Sequence, residues 1–307
     1  KTWLLKEIRE RLNENGVKAQ AVAPTNAAAR LIGGLTIHNF LAKQSGNRYG
    51  FEGVLLVDEC SMVSLAQVAC LDQLRAGGCR VVCFGDFDQL PPVGNSWRGK
   101  AVDPLILRDS HLLKRWSDGC LYKLTKCRRS DETHFKIYTS LSWNMAAALR
   151  MVNRVYQRSS EGDLHLVISH RKRREINAES QAMFTDRGIE VPAHDGEPSY
   201  LCVAGTPIMA TCTAKGFVNG AFMEVTEVSQ NLIKVRDTLT YEVLECTPEV
   251  AARHSSLGWS VVYNRAQGAT IRDKVVVLHD LQSPYAKRQH LYVGLSRVTR
   301  GCDIRIA

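Results

Sequence analysis

Three short strings in this chain carry residue types that phosphoryl chemistry needs. Asp58-Glu59 follows the apolar run Val54-Leu55-Leu56-Val57. An acid at the end of a buried strand can hold Mg²⁺, directly or through water, and an adjacent glutamate can orient or deprotonate an attacking water. The alternative is a solvated acid pair at a helix start. Gly85-Asp86-Phe87-Asp88-Gln89-Leu90-Pro91-Pro92-Val93 follows a second apolar run. The Gln89 amide can hydrogen-bond a terminal phosphate oxygen or a water, and the proline pair stiffens the loop. The alternative there is a surface turn. Lys1-Thr2 opens a helical pattern, as the tail of a G-x-x-x-x-G-K-[ST] phosphate loop does. The glycines of such a loop are not in the sequence, and the dipeptide alone carries no weight.

Parallel α/β layers would position these strings. Residues 3–15 read as an amphipathic helix, with Leu4, Leu5, Ile8 and Leu12 at helical spacing. Residues 17–23 read as a strand ending at Pro24-Thr25-Asn26, and AAARLI restarts a helix. VLLVD (54–58), a helix over 65–78 and RVVCFGD (80–86) repeat the pattern. Buried strands separated by helices argue for a parallel sheet, whose ligands bind at the carboxyl ends of strands. Thr25, Asp58-Glu59 and Asp86 fall at those ends. Residues 114–130 read as a basic linker. LHLVISH (164–170) then reads as a strand and residues 173–184 as a helix. From about 200 to 245 short β-type runs split by turns suggest a small antiparallel insertion. WSVVYN, KVVVLHD and DIRIA return to the α/β texture.

The 307 residues are 45% hydrophobic and 23% charged, an ordinary globular composition of about two domains. The formal net charge of +9 fits either a polyanionic partner or a solvated basic surface. Ten cysteines form no C-x-x-C pair and no Cys/His cluster of zinc spacing. Buried free thiols in a reducing intracellular compartment are expected. No apolar run approaches the roughly 18 residues of a membrane span, and no signal peptide is visible, so no membrane partner is expected. The oligomeric state is left open, with a monomer expected.

Taken in order, the strings resemble the motifs of superfamily 1 helicases of the 5′-to-3′ branch, the Pif-type and RecD-like DNA helicases. Lys1-Thr2 matches the tail of Walker A, and Ala23 to Ala29 (APTNAAA) resembles motif Ia. Thr36-Ile37-His38-Asn39-Phe40 is close to T-I-H-S-F. Asp58-Glu59-Cys60-Ser61-Met62 is close to D-E-x-S-M, and the GDFDQLPPV string is similar to motif III. Leu124 to Arg129 resembles motif IV, Trp259 to Thr270 motif V, and Tyr292-Val293-Gly294-Leu295-Ser296-Arg297 motif VI, usually Y-V-A-L-S-R.

The resemblance implies an α/β fold of two RecA-like P-loop domains with parallel sheets and ATP in the cleft between them. Residues 1–126 would form the first domain, and 127–200 with 251–307 the second. Residues 201–250 would form a small β-barrel-like antiparallel insertion in the second domain. The interval from Phe40 to Val54 is short, so the wedge element found there in the family should be minimal.

Roles follow by motif match. Lys1 would contact the β- and γ-phosphates, Thr2 and Asp58 the Mg²⁺, and Glu59 would activate water. Gln89 and Arg129 would contact the γ-phosphate, with Arg128 the alternative should the match slip by one. Arg297 would be the arginine finger. Gln267 and Gly268 would couple nucleotide to strand. Thr25, Asn26, Thr36, His38, Phe40, Asn264 and Thr270 are the nucleic-acid candidates. Phe40 serves equally as core packing, and His38 as a structural histidine. Motif V normally reads T-I-H-K-S-Q-G; here the histidine is Asn264 and the serine Ala266. The run His170-Arg171-Lys172-Arg173-Arg174 either tracks a backbone or is a solvated helix start.

The expected activity is ATP-driven 5′-to-3′ translocation on single-stranded DNA and unwinding of duplex junctions. An RNA helicase of the viral type is the alternative within the class, and Gln-Leu-Pro-Pro-Val with T-I-H-x-F favours the DNA group. A non-catalytic nucleic-acid-binding module is the third reading. Joint retention of Asp58, Glu59, Gln89, Arg129 and Arg297 argues against it. A strand and glycine loop are expected upstream of Lys1, and without them the residues at hand should bind ATP weakly or not at all.

Overall fold

The computed structural model describes residues 1–44, 50–92, 94–103, 106–183 and 188–307. Val93 of the GDFDQLPPV string, Phe184 of the expected 173–184 helix and residues 45–49 of the Phe40–Val54 interval lie outside the described residues. The chain divides into two compact units, Lys1–Cys127 and Arg128–Ala307.

Unit 1 is built on four parallel strands: β1 (Ala19–Ala23), β2 (Leu35–Thr36), β3 (Val54–Val57) and β4 (Arg80–Cys83), in the order β2-β1-β3-β4. All four residues of β3 are buried, as a strand covered on both faces requires. Alternation sends Val54 and Leu56 to one face and Leu55 and Val57 to the other. The first face packs Leu5 and Ile8 of helix α1 (Thr2–Glu14) and Ala28 and Ala29 of α2 (Asn26–Leu31). The second packs Ile37 and Phe40 of α3 (Ile37–Gln44) and Val68 and Leu71 of α4 (Leu65–Ala76). Ser64 caps α4 through a reciprocal pair with Gln67.

The expected linker at 114–130 is partly helix. His111–Trp116 is helical, and Trp116 is buried in the unit 1 core with its indole N–H on Asp72 at 2.8 Å. Only beyond it does the chain lose regular secondary structure and become solvated, with Leu121 and Tyr122 almost fully exposed.

Unit 2 holds a five-stranded parallel sheet ordered Ser260–Val262, Leu164–Val167, Val276–Leu278, Ile304–Ile306, Gln157–Arg158. A separate five-stranded antiparallel sheet has its own core, including Ile208, Phe217, Val225, Ile233 and Val235. The antiparallel region extends past the expected 201–250. Ile189–Val191 pairs with Tyr200–Cys202 before it, and Ser255–Leu257 closes the sheet beside Pro207–Ala210. Ser-Ser-Leu carries no alternation that could mark it as a strand; its partner makes it one. All ten cysteines are free, but Cys70, Cys120 and Cys302 are exposed, so the expectation of buried thiols holds only for some of them. Among the described residues no helix is long and apolar enough to cross a membrane.

Candidate nucleotide and nucleic-acid site

In unit 1 the end of β3 is tied to both neighbours. Asp58 N–H donates to Val22 O and Phe84 N–H to Val57 O, each at 2.8 Å. The next residue, Glu59, has φ 48° and ψ 44°, a left-handed conformation that an L side chain rarely adopts. Such a residue stores on the order of 1–3 kcal/mol. It is held by its own N–H on Asp58 Oδ1 at 2.9 Å and by Cys60 N–H on Phe84 O at 2.9 Å. The turn leaves Asp58 and Glu59 only 4% and 6% exposed. Burial, and then the neighbouring Glu59, push the Asp58 carboxyl above its ordinary value, while Lys1 works the other way. Lys1 Nζ lies 3.0 Å from Glu59 Oε2. Lys1 caps α1 and Thr2 begins it, so both sit at the helix end whose dipole favours an anion.

Gly85 brings the third string to the same turn. A Cβ there would lie 2.4 Å from Cys60 Sγ and 3.2 Å from Ser61 N, so only glycine lets the two segments touch. Asp86 N–H donates to Ser61 Oγ at 3.4 Å, and the Gln89 amide donates to Asp86 Oδ2 at 3.4 Å. Gln89 is 4% exposed, and its Oε1 is buried with no hydrogen-bond partner among the described residues. Lys1, Asp58, Glu59 and the Gln89 loop therefore form one cluster.

The nucleic-acid candidates of unit 1 divide. Phe40 is 2% exposed and packs edge-on against Phe51 at 5.5 Å between centroids; it is a core residue, not a base-stacking one. Thr25 Oγ1 accepts from Ala28 N–H and caps α2, and Thr36 Oγ1 accepts from Asn39 N–H at the start of α3. Asn26 is half-buried and His38 exposed.

In unit 2 Arg297 ends the helix Arg288–Arg297 and is 1% exposed. Its Nη2 and Nε donate to Ser296 Oγ at 3.0 and 3.4 Å. Arg129 Nη1 donates to Ser296 O at 3.1 Å, whereas Arg128 is exposed. Ile271 N–H donates to Arg297 O at 2.9 Å, which binds the motif V tail to the same helix end. Gln267 and Gly268 form the buried turn after helix Tyr263–Ala266, while Asn264 and Thr270 are exposed.

The sequence reading missed His134. It is 1% exposed, with Nε2 on Leu295 O at 2.8 Å and Nδ1 on the Tyr156 hydroxyl at 2.7 Å. Neither partner is near it in sequence, so no local signal marks it. The run at 170–174 also separates. Arg173 is buried against Glu197 and Ser256, while Arg171 is solvated and pairs with Glu175. A cavity of about 250 Å³ beside Asn177, Gln181 and Tyr200 is lined by Arg174 of that run and by none of the nucleotide-site candidates.

Residues 1–114 match the AAA domain family. The chain is 24% identical to the ATP-dependent RecD2 DNA helicase of Deinococcus radiodurans, over 97% of this chain and 44% of that protein. It is 30% identical to the ATP-dependent DNA helicase Pif1 of a Psychrobacter species, over 31% of this chain and 18% of that one. The chain thus spans less than half the length of these curated relatives. Its fold is that of solved Pif1 helicases. A Bacteroides Pif1 in complex with ADP-AlF3 and single-stranded DNA matches with a TM-score of 0.66 and 20% identity, over 100% of this chain and 85% of that one. The Candida albicans Pif1 matches with a TM-score of 0.68 and 17% identity, over 100% and 87%.

Proposed function

We infer from this relationship to the Pif1- and RecD-like helicases of superfamily 1 that the chain is the motor region of an ATP-dependent DNA helicase. In this reading it translocates 5′ to 3′ on single-stranded DNA and opens duplex junctions. The observation that carries the reading is the cluster at the end of β3, with Lys1 3.0 Å from the Glu59 carboxylate.

ATP is the substrate. Lys1 contacts its β- and γ-phosphates. Asp58 and Thr2 would hold Mg²⁺, and the site fits a dication, because burial makes the Asp58 charge costly without one. Bound Mg²⁺ supplies charge neutralisation at the phosphate oxygens. Lys1 Nζ is paired with Glu59 at 3.0 Å. A triphosphate competing for that ammonium leaves the Glu59 carboxylate free to take a proton from the attacking water. The unpartnered Gln89 oxygen can accept from the same water. Arg297 adds positive charge as the transition state spreads charge over the phosphoryl oxygens. Arg129 assists, and the exposed Arg128 is the alternative donor to phosphate, since Arg129 Nη1 already serves Ser296. Gln267 and Gly268 relay the nucleotide state to the strand. His38, Asn264 and Thr270 are exposed for strand contact, and Thr25, Asn26 and Thr36 are the further candidates at the starts of α2 and α3.

The test is Glu59→Gln in the full-length protein. Removing a general base should lower DNA-stimulated ATP hydrolysis about 10²–10⁴-fold while nucleotide binding persists. Hydrolysis at the normal rate would overturn the motor assignment. Duplexes with 5′ or 3′ tails, in DNA and in RNA, then read polarity and substrate. Preference for a 3′ tail or for RNA would replace that part of the reading.

A further inference from the structure

We propose that His134 is a positioning residue for Arg297, holding the end of the helix that carries it. The proposal rests on the reading of Arg297 as the phosphate-contacting arginine.

A helix ends in carbonyls that have no partner inside it. The last three of this helix are each held from outside it, two by residues 129–134 and one by Ile271. Leu295 O accepts from His134 Nε2 at 2.8 Å, a shorter bond than the 3.3 Å one it accepts from Val298 N–H; Ser296 O accepts from Arg129 Nη1 at 3.1 Å, and Arg297 O from Ile271 N–H at 2.9 Å. Residues 129–134 are stitched to the same stretch twice more. Asp131 N–H donates to Thr299 O at 3.1 Å, and Asp131 Oδ2 accepts from Gly301 N–H at 3.0 Å. The Arg297 guanidinium leans on the hydroxyl of Ser296, so its direction depends on where this backbone sits.

The geometry fixes the tautomer of His134. A carbonyl only accepts, so Nε2 carries the proton. In the neutral ring Nδ1 then accepts from the Tyr156 hydroxyl at 2.7 Å. Burial holds the imidazole below its ordinary pKa, which keeps it in that neutral form. Tyr138 and Tyr156 meet the ring edge-on, with centroids 5.3 and 5.7 Å away, and Tyr138 in turn packs on Tyr292 of the arginine helix. The imidazole is a rigid strut with one orientation. Water could satisfy Leu295 O but could not fix where it lies.

The experiment uses the full-length protein and the variants His134→Ala, His134→Gln, Tyr156→Phe, Arg297→Ala and the double variant His134→Ala/Arg297→Ala. His134→Ala should lower kcat for DNA-stimulated ATP hydrolysis about 10–10²-fold, the effect of misplacing a reacting group by roughly an ångström. KM for ATP should stay within about twofold. Gln can present a donor where Nε2 lies and should recover most of the rate. In the Arg297→Ala background His134→Ala should cost nothing further, because the strut then has nothing to place. A multiplicative loss in the double variant, or a normal kcat in His134→Ala, would overturn the proposal. Should His134→Ala fail to fold, Tyr156→Phe carries the test. It frees the ring to turn and should lower kcat less, again only when Arg297 is present; a normal kcat in this variant would overturn the proposal. Glu59→Gln runs alongside: if it hydrolyses ATP normally the motor reading fails, whereas an inactive Glu59→Gln beside a normal His134→Ala sinks only the strut.

Discussion

In unit 1 the charged groups sit where a strand stops, and in unit 2 they sit where a helix stops. The two ends are made in opposite ways. The acids after β3 are held by a strained backbone. Glu59 is left-handed, and the neighbouring strands grip the residues on either side of it. Asp58 and Glu59 crowd two carboxylates into a buried turn, with Lys1 the nearby cation. Arg297 has ordinary helical backbone, and side chains from distant segments hold its carbonyl end. A carbonyl end also favours a cation electrostatically, as the acid turn does not favour two anions. The acid site is thus poised to gain from a bound cation, and at the arginine end the last carbonyls of the helix already have partners.

The largest expected effect tests the satisfied side. Arg297→Ala should lower kcat about 10³-fold or more, the usual cost of losing an arginine finger. Stability should fall little by comparison, because the strut residues keep their carbonyl partners. Steady-state ATPase assays and thermal melts on one preparation decide this. A collapse of stability with a modest kcat loss would make Arg297 structural and remove the contrast.

The next effect tests the strained side. Gly85→Ala puts a methyl 2.4 Å from Cys60 Sγ, under the turn that carries Glu59. Overpacking of this kind costs about 1–3 kcal/mol. Cys60→Ala in the same chain should recover part of it, since the closest atom is gone while Ser61 N remains at 3.2 Å. Denaturant midpoints measure both steps. A Gly85→Ala chain as stable as the parent would mean that the turn yields freely and stores no strain.

The two ends also differ in how far they could be read from sequence. Asp58-Glu59 and Gly85-Asp86 each close an apolar run, and the strand signal alone puts them at one edge of a sheet. Phe40 could not be resolved that way. Its spacing suits the core and a stacking surface alike, and packing against Phe51 decides for the core. The strut was invisible, because His134 and Leu295 are 161 positions apart and a lone histidine has no periodicity. One departure from the motif pattern does acquire a reason. Tyr263 stands where motif V usually has isoleucine, and Gly294 where motif VI usually has alanine. A Cβ at Gly294 would lie 3.1 Å from Tyr263 Cε1 and 2.7 Å from Leu278 Cδ2. Leu278 is the closer obstacle and Tyr263 the second, so the glycine leaves room for both, a packing relation that two motifs read separately do not reveal.

The smallest effect is a difference in acid response. Unit 2 buries neutral imidazoles. Burial lowers His134 and His165, and it brings His279 and His290 down to about 4. His165 Nδ1 and His279 Nε2 share one hydrogen bond at 2.9 Å, so both rings cannot be charged and keep it. A histidine depressed in the folded chain binds fewer protons there than when unfolded. Its contribution is whole above the ordinary value near 6.5 and is lost as pH falls from there towards about 4. Asp58 has the opposite sign. Its folded carboxyl titrates above 3.8, so its ionisation weakens unit 1 as pH rises through that window, and the penalty lifts as pH falls. The histidines of unit 1, His38 and His111, are both exposed. Regional hydrogen exchange at pH 7 and pH 5, corrected for intrinsic rates, should therefore show protection lost first in the parallel sheet of unit 2. Asp58→Asn should raise protection around β3 at pH 7, and that gain should shrink as pH falls. Earlier loss in unit 1, or an Asp58→Asn gain that grows in acid, would contradict the opposite signs assigned to the two ends.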